Sequence, residues 1–223
     1  MKIPMNDIPF KAVIYDCDGV MFDSFEANFA FYDRIMGMIG KMPLNREDKD
    51  LMRILHTFAS QEVLRHIFPD DKAWGEAMRA ASSINYRELV PFMRMEDGFV
   101  ETLDTIPDHI GLAVCTNRSA SIDAVLESFN LGRYFDIVMS AAKVANPKPH
   151  PEPLLKILEH FRIGPDQALF VGDSEVDRQT AMAAGVPFVA YKSDLSGFAR
   201  INSHLEILPL ILPYQESLSL ALQ

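Results

Sequence analysis

Four apolar residues, Ala12 to Tyr15, run without a break and stop at "DCDGVMFD", where Asp16 and Asp18 flank Cys17 ahead of Gly19. A short apolar run of this kind predicts a strand buried on both faces. The C-terminal half repeats the theme, alternating with helical periodicity. Ile110 to Cys115 reads as a strand ending on polar residues, and Ser119 to Phe129 as a helix with Ile122, Val125, Leu126 and Phe129 on one face. "FDIVMS" is a further strand, "EPLLKILEHF" a helix and "ALFVGDS" another strand. A helix from Glu175 stops at Gly185, a residue suited to the position just past a last turn, and "VPFVAYK" follows as a strand. Strands separated by helices of this length pair in parallel through right-handed crossovers. The predicted class is therefore α/β, a doubly wound, Rossmann-like and mostly parallel sheet.

Residues 24–95 break the alternation and read as almost wholly helical. Asp23 and Glu26 have the spacing of a capping box, ahead of Phe25, Phe29, Tyr32, Ile35 and Met36. A second helix is expected from about Asn45, with Leu51, Ile54, Leu55 and Phe58 on one face. A third carries Val63, Leu64 and Ile67 and ends at Pro69, and a fourth carries Trp74, Met78 and Ala81. The expected organisation is a discontinuous core of residues 1–22 and 97–223, with a helical cap domain, 23–96, inserted after the first strand. Beyond about residue 200 the pattern weakens, and "SHLEILPLI" reads as a short strand followed by a helical turn.

Charge narrows the partners. With 21 basic side chains against 31 acidic ones, the net charge is −10, the wrong sign for a surface that tracks nucleic-acid phosphates. A small phosphorylated metabolite stays compatible, provided a metal or a local lysine offsets the field. No apolar run approaches a membrane span. The opening stretch Met1–Lys11 is broken by Pro4, Asp7 and Pro9, unlike a secretory leader. The only cysteines, Cys17 and Cys115, fall at strand ends, a usage that fits a reducing compartment. A cytoplasmic monomer or homodimer without nucleic-acid or membrane partners is expected.

The two aspartates after the first strand need a reason, because a buried carboxylate is costly unless it is paired or neutralised. Ligands of doubly wound sheets bind beyond the carboxyl ends of the strands. Four features fall at such ends: Asp16 with Asp18, Thr116 with Asn117, Lys148, and Asp173 with Ser174 and Asp177. Prolines at 147, 149, 151 and 153 stiffen the segment that presents Lys148. Each feature alone has a plainer reading: a turn at "DCDG", a helix N-cap at Thr116, Asp173 or Ser174, a solvated lysine at 148. Their common edge is what argues for a site.

"DCDG", "VCTN", "NPKPHPEP" and "VGDSEVD", in that order, resemble the four motifs of the haloacid dehalogenase-like hydrolase superfamily over nearly the whole chain, with the helical insertion where that superfamily places its C1 cap. The run from "DGVMFDS" to "AMAAGVP" looks most like the phosphoglycolate phosphatase and β-phosphoglucomutase branch. The resemblance implies Mg²⁺-dependent hydrolysis of a small-molecule phosphomonoester through an aspartyl phosphate. Asp16 would be the nucleophile and Asp18 the general acid and base, while Thr116, Asn117 and Lys148 would bind phosphate. The metal would take the Asp16 carboxylate, the Asp18 backbone carbonyl and the Asp173 carboxylate, with Asp177 reaching it indirectly through water or Ser174. A phosphomutase of the β-phosphoglucomutase type is the enzymatic alternative. A non-enzymatic phospho-aspartate switch or binding module is the other, disfavoured by Asp18 and by the insertion. Dehalogenation is disfavoured because such enzymes lack the second aspartate. Val20 departs from the threonine common after the motif's glycine, and Ala142 and Lys143 replace acidic residues common in relatives. Arg118, beside Thr116, would touch phosphate or form an ion pair, and His56 and His66 lack metal-ligand spacing.

Overall fold

The run Ala12–Tyr15 becomes an inner strand of a six-stranded sheet. A computed structural model of the chain describes residues 10–119 and 121–212. In chain order its strands are β1 (Ala12–Tyr15), β2 (Phe22–Asp23), β3 (Arg94–Met95), β4 (Gly111–Thr116), β5 (Ile137–Ser140), β6 (Ala168–Gly172), β7 (Phe188–Tyr191) and β8 (Ala199–Ile201). The helices are α1 (Phe25–Met38), α2 (Lys49–Thr57), α3 (Ser60–Ile67), α4 (Asp71–Ser83), α5 (Phe99–Thr105), α6 (Ser121–Ser128), α7 (Glu152–Phe161), α8 (Glu175–Ala184) and α9 (Leu208–Ile211).

The sheet order is β5-β4-β1-β6-β7-β8, with every neighbouring pair parallel. From β1 the chain winds outward through β4 and β5, then returns to the other side through β6, β7 and β8. The winding therefore reverses at β1, where a crevice opens at the strands' carboxyl ends. Alternation across the pleat supplies both cores. Val13, Tyr15, Val114 and Val171 pack with Phe99 of α5 and Ile122, Val125 and Leu126 of α6. Ala12, Ile14, Ala113 and Phe170 face the other way, onto Leu154, Ile157 and Leu158 of α7 and Ala181 and Ala184 of α8.

Helices α1 to α4 bury a separate apolar cluster that includes Phe29, Tyr32, Ile35, Leu55, Leu64 and Ala77. The insert joins the sheet through an antiparallel ribbon in which Phe22 pairs with Met95 and Asp23 with Arg94. Asp48 and Asp70 cap α2 and α4 through their carboxylates, which is why α2 starts at Lys49 and not near Asn45. The expected box at Asp23 and Glu26 does not form. Ser24 occupies the N-cap of α1 but gives its hydroxyl to Asp18, and Asp23 accepts instead from the Phe25 amide at 3.2 Å. In the tail the strand precedes the predicted stretch: β8 ends at Ile201, and His204–Ile207 is a 3₁₀ turn leading into α9. Strands of two or three residues and the short α5 carry too little periodicity to show in sequence. Cys17 and Cys115 are both buried and unbridged. No helix among the described residues is long and apolar enough to cross a membrane. Residues 1–9, which hold nearly all of the Met1–Lys11 stretch, and the His56 side chain lie outside what is described.

His204 ties this tail to the turn after β1. It is fully buried, stacked on Tyr191 at 4.4 Å between ring centroids, with Phe99 at 4.8 Å. Its Nε2 lies 2.9 Å from the Val20 carbonyl oxygen, which can only accept, so Nε2 carries the hydrogen. Nδ1 has no partner. Burial outweighs the help of the Val20 carbonyl and holds the imidazole down to about 4, from an ordinary 6.5. Between those values the unfolded chain binds a proton that the native state refuses, so stability contributed by the neutral ring falls as pH drops through this window. Thermal unfolding at pH 7 and pH 5 should therefore show a smaller Tm difference for His204→Phe than for the parent. Equal differences would mean that the ring carries no such dependence.

Candidate active site

The site begins where β1 ends. Asp16 still follows the sheet, its amide donating to the Val171 carbonyl at 2.9 Å. The chain then turns back, with the Met21 and Phe22 amides donating to the Cys17 carbonyl at 3.0 and 3.1 Å. Gly19 makes the turn at φ +78°, and a Cβ there would strike the Asp173 carboxylate. The glycine of "DCDG" thus serves both the turn and the approach of β6's following residues.

Carboxylate oxygens of Asp16, Asp173 and Asp177 lie within 4.8 Å of one another. One cation faces them. Lys148, 2 % exposed, places Nζ 2.8 Å from Asp16 Oδ1 and 2.6 Å from Asp177 Oδ1. Burial works against the ammonium, yet Asp16 and Asp177 outweigh it and hold Lys148 above its usual range. Burial, then the neighbouring Asp177, pushes Asp16 well above the carboxylate range and Asp173 up to about 7. The carboxylates of Asp16, Asp173 and Asp177 thus share one ammonium, and a crowd of oxygen donors with excess negative charge fits a hard divalent cation.

Asp177 belongs to this cluster while also finishing the N-terminus of α8. Ser174 is the N-cap and accepts from the Asp177 amide at 3.2 Å, and its hydroxyl donates to Asp177 Oδ2 at 2.5 Å. The capping reading of "GDSEVD" and the site reading hold together. Asn117 turns to the backbone of Lys148. Its Oδ1 accepts from the Lys148 amide and its Nδ2 donates to the Lys148 carbonyl, both at 3.0 Å, with a longer bond of 3.3 Å to the Thr57 carbonyl. Thr116 is buried beside them, its hydroxyl oxygen accepting from the Arg118 amide at 3.1 Å.

Asp18 lines the same cavity but pairs with partners outside the Asp16–Asp173–Asp177 group. Arg118 grips it bidentately, Nε to Oδ2 at 2.8 Å and Nη2 to Oδ1 at 2.5 Å. Ser24 and Asn28 of the insert also donate to Asp18, and Asn28 Oδ1 accepts from Arg118 at 3.0 Å. The guanidinium lies over the Tyr86 ring, 4.9 Å from its centroid. Of the two readings open for Arg118, the ion pair is the one formed. Ser24, Asn28 and Tyr86 carried no sequence signal of their own. Only the spacing of Ser24 and Asn28, one helical turn apart behind the acidic motif, hints at them.

Asp16, Asp18, Thr116, Asn117, Lys148, Asp173 and Ser174 line one cavity of about 310 Å³, with Asp23, Phe25, Thr57 and Glu96 at its insert side. An open, doubly wound α/β sheet thus carries a carboxylate-and-lysine site at its switch point, beside a helical insert, the arrangement of a Rossmann-like enzyme. The sequence profile of haloacid dehalogenase-like hydrolases matches residues 13–191. A phosphoglycolate phosphatase of Salmonella typhi is 30 % identical over 215 residues, covering 80 % of this chain and 80 % of that protein. A HAD-superfamily hydrolase, subfamily IA, variant 1, of Geobacter sulfurreducens PCA is 62 % identical over 94 % of this chain and 100 % of that one, with a TM-score of 0.75. CbbY from Rhodobacter sphaeroides, solved with phosphate, shares the fold at 19 % identity, with a TM-score of 0.77 over 91 % of this chain and 100 % of that one. The chain belongs to the haloacid dehalogenase-like hydrolase family, among its phosphoric monoester hydrolases.

Removing the lysine should expose how much the cluster leans on it. Lys148→Met leaves Asp16 and Asp177 buried without their cation, a change that typically costs about 3–5 kcal/mol. Urea unfolding without divalent ions should show a loss of that order. An unchanged midpoint would mean that the acids do not depend on Lys148.

Proposed function

We propose that the protein hydrolyses a small phosphomonoester, with Mg²⁺, through a phosphorylated Asp16. The observation that carries this reading is Asp16 itself, buried at the end of β1 with Lys148 Nζ at 2.8 Å and with Asp173 and Asp177 beside it. The family's phosphoglycolate phosphatase relatives support it. The carboxylates of Asp16 and Asp173 and the Asp18 backbone carbonyl would hold the ion, with Asp177, bonded to Lys148 and Ser174, supporting them indirectly. When bound, the ion would neutralise charge on the phosphoryl oxygens and let the acids stay ionised together.

In the first step Asp18, released from Arg118 and protonated from solvent, gives its proton to the departing alkoxide as an Asp16 carboxylate oxygen attacks phosphorus and the ester P–O bond breaks. In the second, Asp18 takes a proton from water, whose oxygen attacks the acyl phosphate, and inorganic phosphate leaves with Asp16 restored. Lys148 offsets charge on the nucleophile and the phosphoryl group throughout. The Thr116 hydroxyl and neighbouring amides orient the phosphate, and Asn117 fixes Lys148 by its backbone. Asp18 must turn from Arg118 toward the leaving oxygen to act, so entry of substrate and loosening of this pair go together. The insert, 23–96, acts as the cap that closes over the reacting groups and limits bulk water. A cytoplasmic setting fits this chemistry.

Phosphate release from a set of small monoesters should require Mg²⁺ and vanish with a chelator. Asp16→Asn should lower kcat on the order of 10³-fold or more while leaving the fold intact. Matching rates for variant and parent would remove Asp16 as the nucleophile.

A further inference from the structure

A second cavity, about 440 Å³, adjoins the first and shares Asp18 and Asn117 with it. Its walls come from the insert and from Arg118 with the start of α6. An ester with its phosphate against Asp16 and its bridging oxygen at Asp18 would have this space open to its alcohol, because Asp18 lines both cavities. The question is which alcohol the space accepts.

Charge answers first. The 310 Å³ cavity is lined by Asp16, Asp18, Asp23, Glu96 and Asp173, with Lys148 as the only lysine or arginine among its described lining residues. Lys148 is already committed to Asp16 and Asp177. In the second cavity the charged lining residues are Asp18 and Arg118, which neutralise each other. A carboxylate on the alcohol would face these acids, or would compete with Asp18 for the one guanidinium among the described lining residues. Wall chemistry answers second. Phe31 and Tyr86 stand 5.9 Å apart between ring centroids, Phe58 and Met78 add apolar surface, and Asn28 and Gln61 add amides. Aromatic and aliphatic walls with a few amide groups suit a flat, uncharged ring with a hydrogen-bonding edge.

We propose that the substrates are phosphomonoesters of uncharged, ring-bearing primary alcohols, with the ring seated among Phe31, Phe58 and Tyr86. A two-carbon, carboxylate-bearing alcohol such as glycolate fits poorly in both charge and size. This inference rests on the phosphatase reading above and narrows it.

The test is kcat/KM of the full chain with Mg²⁺ for ethyl phosphate, 2-phosphoglycolate, benzyl phosphate and uridine 5′-monophosphate. The first pair isolates charge, and the ring esters against ethyl phosphate isolate size. Ethyl phosphate should exceed 2-phosphoglycolate, and at least one ring ester should exceed ethyl phosphate tenfold or more. Ala81→Phe, or Ser82→Trp at an exposed position of the same wall should the first not fold, should bring the ring-to-ethyl ratio down toward one. A preference for 2-phosphoglycolate overturns this inference and leaves the phosphatase reading standing, as does a ratio that both active variants leave unchanged. Hydrolysis of none of the four overturns the phosphatase reading and this inference with it.

Discussion

The structure is organised around one buried ammonium group held between Asp16 and Asp177. It offsets Asp16 at the end of an inner strand and Asp177 in the first turn of α8, where an uncompensated charge in a low-dielectric interior would be costly. Much of the surrounding architecture secures that lysine. Asn117, at the end of β4, takes both polar groups of its peptide backbone, so β4 positions a residue of a separate loop. Ser174 holds Asp177 from the first turn of α8. Asp16 after β1, a cation from the segment before α7, Asp173 after β6 and Asp177 of α8 come together where β1 lies between β4 and β6.

The second charged pair is built differently, and its components cross between the two layers. Arg118 comes from the sheet side, while Ser24, Asn28 and Tyr86 come from the insert and complete the shell around Asp18. Thr57, at the end of α2, likewise accepts from Asn117. The position of the insert is therefore coupled to the environment of the group proposed to move protons. A displacement of α1 would remove donors from Asp18 and Arg118 together. If the insert acts as the proposed cap, its movement would also change the surroundings of Asp18.

Much of this was legible in sequence. The unbroken apolar runs at Ala12–Tyr15 and in "ALFVGDS" could only be strands covered on both faces, and the helices between such runs forced parallel pairing. Those rules place Asp16, Thr116, Lys148 and Asp173 near one edge before any coordinates are seen. Contacts between distant positions were not legible. Arg118 and Asp18 are 100 residues apart, and nothing local distinguishes a guanidinium that will clamp a carboxylate from one bound for solvent. Asn117 was read as a phosphate ligand by its place after Thr116, whereas its amide is engaged with Lys148's backbone. At Ser24 local capping preference lost to a tertiary acceptor, so the expected box gave way to a bond with Asp18.

The choice of cation at each pair follows from what each acid has to do. Lysine is a compact point charge that can stand between two carboxylates without fixing the plane of either, which suits the attack proposed for Asp16. Arginine is a planar fork that binds both oxygens of one carboxylate and fixes its orientation. Asp18 is so fixed, with Tyr86 under the guanidinium and Asn28 at its edge. Exchanging the two cations would invert these properties, fixing the plane of Asp16 and freeing that of Asp18. Lysine at 118 would also lose the second oxygen and the flat contact with Tyr86, so even a charge-conserving replacement there would not preserve the geometry.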